Sequence, residues 1–310
     1  MDRTTEKVME MELKNRLMQY GDVECGEPLC KHTTFRIGGK AKYYVYPKNE
    51  LCLSRIIALA KEERMPYKLF GKGSNILAGD QDYDGIIIAL DRYFNEFSFE
   101  EDGTCVVQAG TSIILLAQEA MKHGFSGLEF ASGIPGTLGG AIFMNAGAYK
   151  SDMAAIVREV YVMCGEDGAC EWKPAEELAF SYRHSIFQKH PDWIILGARL
   201  QLTKGDQDEI RALMDARRQR RIASQPLNYP CAGSIFRNPQ DQFAWKLIEE
   251  LGLRGKQIGG ACISEKHANF IINVDHARAE DVVALIELVQ REVKKAYGLE
   301  LILEVERFNL

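Results

Sequence analysis

The chain of 310 residues lacks several features that would place it in a function class at once. No run of about eighteen apolar residues occurs, so no segment reads as a membrane-spanning helix. Its eight cysteines, at 25, 30, 52, 105, 164, 170, 231 and 262, form no CxxC pair, and no histidine stands at zinc-finger spacing from them. Reduced, mostly buried thiols are expected, and no metal site is implied. No GxGxxG leads from a strand into a helix, which disfavours a Rossmann dehydrogenase. Excess positive charge is also missing. The formal net charge of -6 argues against a nucleic-acid partner, and the local cluster of Arg217, Arg218, Arg220 and Arg221 reads as a solvated helix end. The opening residues, MDRTTEKVMEMELKNRL, have no apolar signal-peptide core, so a cytoplasmic location is expected.

What the chain does have is glycine in a particular place. Residues 132–149, SGIPGTLGGAIFMNAGAY, hold five glycines in an apolar stretch that ends in Asn145, Ala146 and Gly147. Glycine costs backbone entropy and is kept where the chain takes positive φ or lies directly against another group. Gly133, Gly136, Gly139 and Gly140 suit a backbone that meets a ligand, with Ser132, Pro135 and Thr137 between them. If Thr137 to Met144 opens a helix with its positive end outward, successive amides would face an anion, a pyrophosphate by preference. A glycine-rich turn before a buried segment accounts for the spacing equally well. A second such turn, GKGSN, comprises Gly71, Lys72, Gly73, Ser74 and Asn75.

Periodicity divides the chain into three consecutive parts. Residues 1–90 read as a leading helix, through Met9, Leu13, Leu17 and Tyr20, followed by a small α/β unit: strand 43–47, helix 50–64, strands 67–70 and 86–90. Residues 91–221 read as a second α+β unit, with strands 104–110, 156–164 and 193–202, a helix from Thr111 to His123 and a basic helix over 206–221. Pro226 and Pro230 mark a boundary. Residues 222–310 then show helices 242–251 and 279–297 and strands 269–274 and 299–308. The fold class is α+β.

Taken together, HTTFRIGG (32–39), GKGSNIL (71–77), the glycine segment, FSYRHSIF (180–187), AGSIFRNP (232–239), KQIGGACISEKHANFIIN (256–273) and the closing LELILEVERF give a pattern that covers nearly the whole chain. It resembles the UDP-N-acetylenolpyruvoylglucosamine reductase family, in the shorter branch without a tyrosine-bearing loop insertion. The resemblance implies a PCMH-type FAD-binding fold of two subdomains followed by a smaller substrate domain. It also implies noncovalent FAD held by the two glycine loops, NADPH as reductant, and UDP-N-acetylglucosamine enolpyruvate as the substrate reduced for peptidoglycan synthesis. No membrane partner is implied, and a monomer or weak oligomer is expected. The glycine loops alone would also suit an alcohol or sugar oxidase of the same flavin fold, or a nonenzymatic flavin- or nucleotide-binding module.

The implied reaction reduces a double bond conjugated to a carboxylate. It needs a hydride at one carbon, stabilisation of negative charge on the carboxylate side, and a proton at the other carbon; flavin supplies only the first. By the resemblance, Arg183 meets the carboxylate, for which a guanidinium is geometrically matched. Ser234 is the proton donor, and Glu304 stands beside the carboxylate to stabilise the enol form. A glutamate there would repel the developing charge unless Arg183 intervenes or burial keeps it protonated; both options stay open. Glu306, two residues on along an expected strand, competes for the assignment. Leu303 stands where the family usually has proline, and Cys231 where serine is expected. Arg237, Asn238, Arg254 and His267 are expected to contact the nucleotide sugar, with Asn269 near them.

Overall fold

The computed structural model describes residues 3–165 and 168–310, and for residues 3–10 the backbone only. Seven helices are present among the described residues: α1 (Arg3–Met18), α2 (Glu50–Glu62), α3 (Ile113–Lys122), α4 (Leu138–Phe143), α5 (Gln207–Ser224), α6 (Ala244–Glu250) and α7 (Ala279–Tyr297). Helix α1 matches the expected leading helix. Leu13 and Leu17 are buried, while the side chain of Met9 lies outside the described residues.

The chain forms two compact units, neither of them continuous. The first takes the chain up to Glu27, then Ala41–Gly71 and Asp84–Asp215; the second takes Pro28–Lys40, Lys72–Tyr83 and Ala216–Leu310. This differs from three consecutive domains. One apolar core runs through the whole first unit, from Leu17, Val45 and Ile86 to Val107, Leu138 and Leu200, so residues on both sides of the expected break at 90 share one interior. The later boundary falls inside α5, between Asp215 and Ala216, rather than at 221.

In the first unit, a four-stranded sheet has the order Gly21–Pro28, Lys40–Pro47, Tyr83–Ala89, Tyr67–Phe70. Ile86, Ile87 and Ile88 are fully buried at its centre, as an apolar run without alternation predicts. Helix α2 presents Leu53, Ile56, Ile57 and Ala60 on one face. Each of the leucine and isoleucine side chains contributes about 1.5–3 kcal/mol on burial. Its first turn is closed by the Asn49 side chain, which accepts from Cys52 N at 2.9 Å. A five-stranded antiparallel sheet follows, ordered Cys170–Pro174, Val157–Met163, Ile194–Gln201, Thr104–Gln108, Phe97–Phe99.

The second unit shows why short early segments belong with the C-terminal part. Phe35, Ile37 and Leu77 are buried in the same core as Ile235, Phe236, Leu285, Ile286 and Val289. The strand Ile76–Ala78 pairs in parallel with Glu306–Phe308. Asp80 receives the amides of Ala279 and Glu280 at 2.8 and 3.2 Å, capping the start of α7. Helix α7 ends at Gly298, whose φ of 68° is the left-handed stop that glycine adopts without strain. The closing strand is shorter than expected. Only Glu306–Phe308 is strand, Leu303 makes an isolated bridge to Phe236, and Val305 bends the chain between them.

Candidate functional site

The glycine segment lies in the first unit and does form a helix at the expected place, with Thr137 as N-cap; its hydroxyl accepts from Gly140 N at 3.4 Å. The outward-facing helix end is not what the structure provides. Leu138 N donates to Thr111 O at 2.9 Å and Gly139 N to Ala109 O at 2.8 Å, so the first amides of α4 are used within the protein. The donors that remain lie just before it: among the described residues, the amides of Gly133, Gly136 and Thr137 make no hydrogen bond. The same holds in the other glycine turn for Lys72, Gly73 and Ser74. Runs of unmatched amides beside small residues suit the phosphates of a nucleotide cofactor, and in this respect both segments fit one.

Two glycines are needed for close approach. A Cβ on Gly71 would lie 2.6 Å from Thr137 Oγ1, and one on Gly73 would overlap His32 O at a φ of 57°. The fifth residue of that turn serves differently. Asn75 Nδ2 donates to Glu304 O at 2.9 Å, and Asn75 O receives Glu306 N at 2.8 Å, so Asn75 is a brace for the closing segment. Ser132 Oγ likewise turns inward, to Glu129 O at 2.9 Å, and Glu129 carries Ser126 Oγ and Gly127 N on its buried carboxylate.

Asn145, Ala146 and Gly147, expected at the cofactor, anchor the Arg183 turn. Ser181 and His184 exchange backbone hydrogen bonds at 3.1 Å, leaving Tyr182 and Arg183 as a two-residue turn. Arg183 has a φ of 55°, a position usually filled by glycine. For an arginine this conformation costs about 1 kcal/mol. The surrounding contacts hold it there. Buried Asn145 donates to Ser181 O at 2.9 Å and to Asp152 Oδ2 at 3.1 Å while accepting from Ala154 N. Ala146 N donates to Ala141 O at 2.7 Å. Gly147 O receives Arg183 Nη2 at 3.0 Å. Asn145 itself has a φ of 41°. Strained backbone at both ends of one hydrogen-bonded cluster marks a conformation imposed by its surroundings.

In the second unit Ser234 and Glu304 are brought close through their backbones. Glu304 N donates to Ile235 O at 2.8 Å and Arg237 N to Ile302 O at 2.9 Å. Buried Asn269 fastens this pairing: its Oδ1 receives Phe236 N at 3.0 Å, its Nδ2 donates to Phe236 O at 2.8 Å, and its carbonyl receives Ile235 N at 2.9 Å. Asn269, expected near the sugar contacts, is therefore also a support for the serine segment. The bend at Val305 breaks the period-two relation between Glu304 and Glu306; Glu304 precedes the bend and Glu306 is in the strand. Half-buried Ser234 makes no side-chain hydrogen bond among the described residues. Cys231 is pinned by Thr34 through two bonds, Thr34 Oγ1 to Cys231 O at 2.7 Å and Cys231 N to Thr34 O at 3.1 Å, and burial pushes its thiol pKa up.

The expected sugar contacts divide. Arg254 is engaged by Glu249 Oε1 at 2.9 Å and Glu265 O at 2.6 Å, so its guanidinium is chiefly an internal tie. Asn238 Oδ1 accepts from Ala244 N at 3.1 Å, at the start of α6. Arg237 and Arg254 each have a buried Nε with no partner, and His267 a buried Nδ1 with none. Burial, reinforced by the positive charge of Arg254, lowers the His267 pKa from its ordinary 6.5, so this imidazole is neutral at pH 7. Its ring meets Phe270 edge-on at 4.8 Å.

Comparison with known proteins adds the remaining evidence. Residues 225–308 match the family described as UDP-N-acetylenolpyruvoylglucosamine reductase, C-terminal domain, and residues 41–172 match the family described as FAD binding domain. The UDP-N-acetylenolpyruvoylglucosamine reductase of Anoxybacillus flavithermus is 45% identical over 296 residues, covering 95% of this chain and 97% of the relative. That of Bacillus licheniformis is 42% identical over 307 residues, covering 99% and 98%. The crystal structure of the Thermus caldophilus enzyme superimposes with a TM-score of 0.77 at 36% identity, over 93% of this chain and 98% of that one. At this identity and coverage, with both of its characteristic domains matched in order, the chain belongs to the UDP-N-acetylenolpyruvoylglucosamine reductase family.

Proposed function

We propose that this reductase uses FAD, reduced by NADPH, to convert UDP-N-acetylglucosamine enolpyruvate to UDP-N-acetylmuramate in the cytoplasm, with Arg183, Ser234 and Glu304 as its catalytic residues. Bound flavin supplies the hydride for the methylene carbon of the enolpyruvyl group. The protein must supply the rest. Arg183, on a turn held by Asn145 and Gly147, pairs with the carboxylate and stabilises the negative charge that builds there as the double bond is lost. Ser234 delivers the proton to the adjacent carbon from its Oγ, completing addition of one hydride and one proton across the bond. Glu304, held beside the serine segment, stabilises the enol form of the carboxylate group.

The observation that carries this reading is the pairing of the Ser234 and Glu304 segments, braced by Asn75 from one side and Asn269 from the other. Rigid placement of a weak acid is what general acid catalysis by serine requires. Arg237, Arg254 and His267 each keep an unmatched buried nitrogen that a nucleotide-sugar contact would satisfy. No helix among the described residues is long and apolar enough to cross a membrane.

The test separates the two half-reactions. Purified protein is reduced anaerobically with NADPH, then mixed with UDP-N-acetylglucosamine enolpyruvate while flavin absorbance is followed. Return of the oxidised flavin colour with formation of UDP-N-acetylmuramate is expected. Ser234→Ala should leave reduction by NADPH near normal and slow sugar reduction by about 100-fold to 10,000-fold. An equal loss in both steps would remove Ser234 from the proton-donor role, and bleaching that persists until oxygen enters would remove the sugar as substrate.

A further inference from the structure

The Arg183 turn is tied to the glycine segment by one side chain outside all the motifs considered above. Gln188, half-buried in the short helical turn Ile186–Gln188, places its amide nitrogen 3.1 Å from Phe143 O and 3.0 Å from Arg183 O. An NH2 group has two hydrogens, so both bonds form at once. Phe143 is the last residue of α4, where helix carbonyls have no partner inside the helix. Arg183 O belongs to the left-handed residue of the turn. A single amide thus joins the end of the helix to the strained arginine. Ser185 Oγ adds a bond of 2.6 Å to the same Phe143 O, and Asn145 holds Ser181 O at the other flank of the turn.

We propose that Gln188 is a positioning residue for Arg183: its doubly donating amide holds the arginine backbone in the conformation that sets the guanidinium against Gly147 O, so the substrate carboxylate meets a cation already in place. The inference rests on the reading of Arg183 as the carboxylate's partner. Ser185 and Asn145 grip the flanks of the turn, whereas Gln188 grips the arginine's own carbonyl. The role is specific to donors. Leucine removes both donated bonds, leaving Phe143 O to Ser185 Oγ, glutamate sets an anion against two carbonyl oxygens, and lysine retains donors for both.

The experiment compares Gln188→Leu, Gln188→Glu and Gln188→Lys in the intact flavoprotein, with thermal midpoint and flavin content measured alongside both half-reactions. Because a misplacement of about 1 Å at a positioning contact costs up to about 100-fold in rate, Gln188→Leu and Gln188→Glu should lower kcat/KM for the enolpyruvyl sugar by about 10-fold to 100-fold. Flavin reduction by NADPH should stay as in the parent protein, and Gln188→Lys should recover most of the loss. In an Arg183→Ala background, Gln188→Leu should add nothing to the defect. Glutamate performing as well as lysine, an undiminished effect of Gln188→Leu without Arg183, or loss of flavin by all three variants would each overturn the proposal and leave Gln188 a structural residue. If Arg183→Ala alone spares the sugar half-reaction, the carboxylate reading of Arg183 falls first and the role of Gln188 falls with it.

Discussion

Replacing Asn269 by leucine tests whether the serine segment is held as the geometry says. The side chain is 4% exposed and meets one residue, Phe236, with both of its polar atoms, at 3.0 Å to the amide and 2.8 Å to the carbonyl. Phe236 is 2% exposed, so water does not readily replace the lost partner. Each buried group left unmatched costs about 1–3 kcal/mol, which sums to a destabilisation of about 2–6 kcal/mol for the pair. Set against a typical folding free energy of about 5–15 kcal/mol and a urea slope of about 1–3 kcal/mol per molar, the unfolding midpoint should fall by roughly 1 M or more. Of the three tryptophans, Trp245 alone belongs to the second unit, so a background with Trp172 and Trp193 replaced by phenylalanine makes fluorescence report that unit. Reduction of the sugar should slow in parallel, because Ser234 lies two residues before Phe236. A midpoint within about 0.2 M of the parent at unchanged slope would refute the argument, since it would mean the Phe236 groups find other partners without loss.

Gly71→Ala would put a methyl group 2.6 Å from Thr137 Oγ1 and should cost about 1–3 kcal/mol of stability, with weaker FAD retention on dialysis; unchanged flavin content and thermal midpoint would show that Thr137 yields freely. The lowered pKa of His267 sets a pH dependence of known sign. Below 6.5 the unfolded chain binds a proton that the folded one resists, so stability falls as pH drops from 6.5 toward the folded-state value, and His267→Gln should flatten that part of a denaturation profile. A thiol reagent should label exposed Cys25 in the native protein but reach Cys105, whose pKa burial pushes up to about 12, only after unfolding; early labelling at Cys105 would contradict its burial.

Helices were legible where one face is apolar over several turns. Helix α2 with Leu53, Ile56, Ile57 and Ala60, and α7 with Val282, Leu285, Ile286, Val289 and Val293, follow their periodicity closely. The strand Ile76–Ala78 was not anticipated, because three residues are too few to show alternation and its partner lies at the other end of the chain. For the same reason the membership of Pro28–Lys40 and Lys72–Tyr83 in the second unit escaped a linear reading. Ser234, Arg183 and Glu304 were reached through family motifs and not through spacing. Their supports were less visible still: Asn269 acts on a residue 33 positions away, and Gln188 reaches back 45 positions to Phe143. An isolated asparagine or glutamine has no periodic signature, and its work is defined only by what the fold sets opposite it.

The pairing of Ile76–Ala78 with Glu306–Phe308 also constrains the order in which the protein can be made. Asn75 waits for Glu304 across 229 positions of chain, and Asp80 for Ala279 across 199. On the ribosome, Phe35, Ile37 and Leu77 emerge long before the apolar surfaces that will cover them, whereas much of the first unit has its partners within the first 215 residues. The second unit can close only when translation is nearly finished, and contacts of such separation are slow to form. Until then the strand Ile76–Ala78 is an unpaired edge. Chaperone demand during synthesis should therefore be governed by these few early residues and should ease when the last strand arrives.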